Sequence, residues 1–133
     1  MWRGILIITA GLLLGCVSEA KETPTRNTSE QALVTFVELG SVKCIPCKQM
    51  QPVMASIEKK YGHQINVVFH DVWEEDQKHF AQQYGIKLIP TQVFLDSTGN
   101  EIMRHEGFFP EAEIDAFLVT QGLVAEELQG SHD

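Results

Sequence analysis

The sequence predicts an α/β domain with helices on both faces of one sheet, and three observations carry that expectation. A β-favouring run at residues 33–39 passes through a short loop into a helical pattern that begins behind Cys44 and reaches about Tyr61. A second run rich in Val, Ile and Phe, residues 64–72, follows and completes a β-α-β unit. After one more helical segment, two extended runs flank the turn sequence Asp96-Ser97-Thr98-Gly99-Asn100, and a last helical pattern opens at Pro110-Glu111, giving α-β-β-α. A chain of 133 residues suffices for one domain with one core. Hydrophobic residues at 44% and charged residues at 21% mark it as globular rather than disordered. Lys and Arg number 10 against 18 Asp and Glu, and the net charge of −8 argues against a nucleic-acid partner.

Taken in order, the chain opens with Met1-Trp2-Arg3 and an apolar run at residues 4–14. That run is shorter than the ~20 residues a membrane-spanning helix needs and suits the core of a secretory signal. It ends in Leu13-Leu14-Gly15-Cys16, which resembles a bacterial lipobox. The resemblance implies a signal peptide over residues 1–15 and a lipidated Cys16 as the mature N-terminus. An ordinary signal peptide with Cys16 as a spare thiol, and a short anchor that is never cut, are the competing readings. Residues 16–30 carry almost no apolar side chain and read as a polar tether. The domain is expected over residues 31–124, with a polar, frayed tail over residues 125–133.

The stretch at residues 37–50 carries the chemistry. Cys44 and Cys47 stand at C-x-x-C spacing where strand gives way to helix. Sulfurs one helical turn apart can close a small disulfide ring. Cys44 falls at the helix N-terminus, where unpaired N–H groups and the positive dipole end stabilise a thiolate. Such a thiolate is both a better-populated nucleophile and a better leaving group. Cys47, one turn in, is shielded and suits a resolving thiol. C-x-x-C is also half of many zinc sites, but with Cys16 lipidated no further cysteine could complete a four-sulfur set.

The helix behind the motif carries Met50, Val53, Met54, Ile57 and Tyr61 as a core-facing stripe, so the methionines read as core rather than metal ligands. Pro52 is expected to kink it, and Gly62 to cap its end. The run at residues 64–72 reads as a second buried strand. Asp71 to Asp76 reads as an acidic helix start, leading to Phe80, Ala81 and Tyr84 on the inner face and a stop at Gly85. Its spacing lacks the glycine and alternation of a calcium loop. His70 and His79 read as solvent or core-edge residues. The last helix places Ile114, Phe117, Leu118 and Gln121 on one stripe.

Cys44-Ile45-Pro46-Cys47-Lys48, Pro52 and the distant Ile89-Pro90-Thr91 together resemble the thioredoxin family, over residues 33–122. The resemblance implies a thioredoxin-like three-layer sandwich with a central mixed sheet flanked by helices. It implies that Cys44 and Cys47 are the catalytic dithiol, tuned by Ile45 and Pro46 between them. It matches Glu38, six residues before Cys44, to the buried carboxylate that exchanges a proton with the resolving cysteine; a strand-end glutamate facing solvent is the alternative. It implies a cis peptide bond at Pro90, with Ile89 offering its backbone to an extended substrate segment, Pro90 and Thr91 shaping the groove and Gly107 leaving it open. The chain departs from the family at Lys43, where a tryptophan is usual, and at Gly40 and Ser41, where bulkier residues are common.

The function so implied is thiol–disulfide exchange on extracytoplasmic proteins, most simply disulfide reduction. The expected partners are protein disulfides, a membrane thiol donor of electrons and, through the lipid at Cys16, the membrane itself. No cofactor or metal is implied, and a monomer is expected. The rivals are an oxidase or isomerase running the same chemistry the other way, a chaperone holding Cu(I) between the two sulfurs and a histidine, and a redox-inert module that keeps the peptide groove.

Overall fold

The computed structural model describes residues 31–129. The expected signal peptide, most of the tether and Cys16 lie outside the described residues. Four strands, β1 (Val34–Gly40), β2 (Ile65–Asp71), β3 (Thr91–Asp96) and β4 (Glu101–Glu106), form one sheet in the order β2-β1-β3-β4. β1 runs parallel to β2 and antiparallel to β3, and β3 is antiparallel to β4, so the sheet is mixed. The helices are α1 (Ile45–Tyr61), α2 (His79–Gln83), α3 (Glu111–Thr120) and α4 (Glu126–Gln129).

Strand alternation sorts β1 into two cores. Val34 and Phe36 pack with Met50, Met54, Ile57 and Tyr61 of α1 and Ile114 and Leu118 of α3. Val37 and Leu39 face the other way, onto Val72, Val93 and, from α2 and its flanks, Phe80, Ala81 and Tyr84. The central strand is therefore buried on both faces, which is why it reads as one apolar run. Phe36 stacks on Phe94 of β3 with ring centroids 4.7 Å apart, and Phe117 of α3 meets Phe94 edge-on. Pro52 sits inside α1 without ending it, and Gly62 closes the helix at φ 51°, a left-handed angle that favours glycine. A side chain there would also collide with the carboxylate of Glu126 on α4.

Three expectations change. The second strand is not fully buried: β2 is an edge strand with a half-buried middle, because the sheet adds nothing beyond it among the described residues. The acidic segment after it is turns rather than helix, and α2 spans only five residues. Asp71 is the reason, since its carboxylate accepts from the backbone N–H of Trp73 and so satisfies that donor outside a helix. The expected tail begins with a short helix, α4. Just before it, Leu123 is buried and Gln64 exchanges two hydrogen bonds with the backbone of Val124 (2.7 and 2.9 Å).

The register decides where function can lie. Gly40 pairs with Asp71, Leu39 with Thr91, and Thr91 with Glu106. The loops that leave β1, β2 and β4 and the one that enters β3 therefore meet at a single end of the sheet.

Candidate active site

Cys44 is the N-cap of α1, in extended conformation, and its carbonyl accepts the N–H of Lys48 (3.0 Å) to start the helix. Pro46 lies in the first turn, where its missing N–H leaves no helical bond unmade. Cys44 and Cys47 are joined as a disulfide, with Cα atoms 5.2 Å apart. Cys44 keeps 9% of its surface exposed and Cys47 none, so an incoming sulfur can reach only the first.

The loop before Cys44 is held from β2. Asp71 accepts the N–H of Val42 (3.0 Å) and of Trp73 (3.1 Å), Ser41 Oγ accepts the N–H of Lys43 (3.2 Å), and Ser41 O accepts the N–H of Cys44 (3.1 Å). Burial pushes the Asp71 carboxyl up, but the donors from Val42, Trp73 and Ser41 more than offset it and hold its pKa below the ordinary carboxylate value. Lys43 is exposed and pairs with Glu74 (3.0 Å), which raises the pKa of its ammonium. Gly40 packs against Cys47: a Cβ there would stand 3.2 Å from Cys47 Cβ and 3.3 Å from its Sγ. The small residue that departs from the family pattern is thus what lets the resolving sulfur sit directly on the strand.

Glu38 lies two residues before Gly40, so it projects to the same face of the sheet as Cys47. It is fully buried, at the end of the core that α1 and α3 cover. Desolvation raises its pKa to about 8, with only a partial lowering by the amide of Gln92 across the strand pair.

The Ile89–Pro90 peptide bond is cis. Pro90 is buried, Ile89 half-buried, and Thr91 Oγ1 donates to Leu88 O (2.7 Å). Gly107 donates its N–H to Pro90 O (2.8 Å) and has φ 90°, with open space where a side chain would stand. The register of β1, β3 and β4 thus brings Glu38, Cys44, Cys47, Ile89, Pro90, Thr91 and Gly107 to one end of the sheet. Cys16 is not among the described residues. Five large apolar side chains at this end are exposed, Val42, Trp73, Leu88 and Phe108 on its loops and Ile45 at the start of α1. Trp73, Leu88 and Ile89 also line a surface hollow of about 280 Å³. Among the described residues no group of three His, Cys, Asp or Glu is arranged to hold a metal ion, and no helix is long and apolar enough to cross a membrane.

Sequence reasoning did not single out Asp71, Gln92, Trp73 or Phe108. Asp71 was legible only as part of an acidic run. Gln92 carried one signal, a lone amide opening an apolar strand two residues after Pro90.

Comparison with known proteins fits this geometry. The thioredoxin-like domain family matches residues 19–122. The chain is 29% identical over 86 residues to the chloroplastic thioredoxin-like protein HCF164 of Oryza sativa subsp. japonica, covering 62% of this chain and 31% of that one. It is 26% identical over 110 residues to the thiol:disulfide interchange protein TxlA homolog of Synechocystis, covering 83% and 61%. The chain thus spans about a third and three fifths of the length of these two relatives. Among solved structures, the germline-specific thioredoxin Deadhead of Drosophila melanogaster superposes with a TM-score of 0.59 at 22% identity, over 68% of this chain and 83% of that one, a likeness of fold. A mixed sheet with flanking helices and a C-x-x-C pair closed at a helix N-terminus are the features of a thiol–disulfide oxidoreductase. The chain belongs to the thioredoxin-like domain family.

Proposed function

We propose that the protein reduces disulfides in extracytoplasmic proteins. The observation that carries the reading is the Cys44–Cys47 pair itself, with only Cys44 reaching the surface, beside a cis-proline loop rimmed by exposed apolar side chains. In the dithiol form the Cys44 thiolate attacks one sulfur of a substrate disulfide. A mixed disulfide forms and the other substrate sulfur leaves as a thiolate, which takes a proton from solvent. Cys47 then gives its proton to the ionised Glu38 carboxylate, attacks Cys44 Sγ and expels the second substrate sulfur as a thiolate, which takes a proton from solvent. Two electrons have passed to the substrate and the Cys44–Cys47 disulfide remains. A dithiol donor must return two electrons for the next cycle, and a membrane thiol carrier fits that need.

The direction rests on what stabilises the reduced form. Ile45 and Pro46 supply neither charge nor donor between the cysteines, and Lys43 is engaged by Glu74 in solvent. With little to favour the thiolate beyond the helix terminus, the potential should lie nearer the ~−270 mV of thioredoxin than the ~−120 mV of a strong oxidase. The apolar rim suits protein rather than small-molecule disulfides. The lipobox-like Leu13–Gly15 with Cys16 and the polar segment behind it support export and lipid anchoring at the outer face of a membrane. Equilibration against a series of glutathione buffers tests the direction, and a value above about −150 mV would make an oxidase or isomerase the better reading.

A further inference from the structure

Two buried side chains in the sheet leave polar atoms unpaired. Both carboxyl oxygens of Glu38 and the Oε1 of Gln92 are buried with no hydrogen-bond partner among the described residues. Buried polar atoms are paired in the great majority of cases, so each exception asks for a reason. The two residues are direct partners across β1 and β3 at one register position, so their side chains leave the same face of the sheet side by side. Chemistry fixes how Gln92 is turned. Gly107 O, 3.1 Å away, can only accept, so the amide nitrogen faces it. The second amide N–H and the unpaired Oε1 remain. An amide so placed can donate to a carboxylate and accept from a protonated carboxyl, and therefore serves both states of Glu38; an apolar side chain would serve neither.

The same amide is tied to the groove. Gly107 donates to Pro90 O and accepts from Gln92, so one glycine joins the cis-proline loop to the buried residues. Other ionisable groups near Glu38 are few. Cys47 comes from α1, and His105 of β4 stands opposite Gln92 in the register with its ring stacked on Phe109. Asp71, at the end of β2, is turned to the backbone of Val42 and Trp73. α3 contributes Ile114 and Leu118 to this core, and its Asp115 instead binds Lys60 and Tyr61.

We propose that Gln92 is the positioning residue of the buried proton acceptor: it steadies the Glu38 carboxyl, the ionised form more than the protonated one, and couples it, through Gly107, to the substrate groove. This rests on the reading of Glu38 as the proton partner of Cys47.

The oxidised protein, in which neither cysteine titrates, isolates the pair. Carboxyl-carbon NMR of Glu38 across pH, in wild type and in Gln92→Met, reads its ionisation directly. Methionine keeps the unbranched shape without donor or acceptor, and Gln92→Leu serves if it folds poorly. The Glu38 midpoint should rise by about one pH unit, a tenfold change in proton affinity. In the reduced protein, the pH profile for resolving a mixed disulfide should move the same way in Gln92→Met, and should not move when the substitution is made in a Glu38→Gln background. An unmoved midpoint, or a kinetic shift that persists without Glu38, overturns the proposal. If the wild-type protein reduced no disulfide at all, the reading of its activity would fail, and the NMR midpoint would still decide the role of Gln92.

Discussion

Glu38 and Asp71 lie near the same end of neighbouring parallel strands and both are buried, yet their carboxyls are driven in opposite directions. Asp71 meets three donors, the N–H groups of Val42 and Trp73 and the hydroxyl of Ser41, and stays ionised at the foot of the loop that presents Cys44. Both carboxyl oxygens of Glu38 are buried without a hydrogen-bond partner among the described residues, and burial pushes its pKa to about 8. Burial is common to both; the supply of donors is what differs. One carboxylate is thereby a structural anchor, and the other is a group whose proton can come and go near neutral pH.

The largest expected effect is on stability in alkali. Between the ordinary value of 4.5 and about 8 the folded protein holds a proton on Glu38 that the unfolded chain has lost, so stability falls as pH rises through that window and is level above it. Glu38→Gln removes the dependence. It should be indistinguishable from wild type near pH 4.5 and more stable above pH 8, by up to about 5 kcal/mol. Urea unfolding of both proteins at the two ends of the window checks it, and equal pH slopes would mean that Glu38 is solvated.

Asp71 should behave in the mirror sense and more weakly. Its depressed pKa contributes stability above the ordinary 3.8 that is lost as pH falls below it. Asp71→Asn puts a donor where Val42 or Trp73 already donates and should cost about 1.5–3 kcal/mol at neutral pH, with the gap from wild type closing in acid. The same unfolding series measures it, and a gap that is constant with pH would remove Asp71 as a charged anchor.

How far the sequence alone reaches follows from the same physics. The C-x-x-C pair, the helix behind it and the hairpin at residues 91–106 are local patterns, and they stand where the residues place them. The position of β2 at the sheet edge is not local: Ile65, Val67, Val68 and Phe69 look alike whether a strand has one neighbour or two. Asp71 is an N-terminal helix residue by composition and a loop anchor only because the chain brings Val42 within reach from 29 residues away. Gln92 reads as an ordinary strand residue until the β1–β3 register sets it against Glu38. Residues 125–129 look like a polar tail until Gly62 supplies a surface bare enough for Glu126.

The most direct test of the account is the pH dependence of one step, the release of a trapped mixed disulfide by Cys47, followed in single turnovers of wild type and Glu38→Gln. If Glu38 accepts the proton of Cys47, the wild-type rate rises with pH as the carboxyl ionises and bends near pH 8, and the variant is slower and loses the bend. Superimposable profiles would contradict the account and leave Glu38 a buried acid with no part in the exchange.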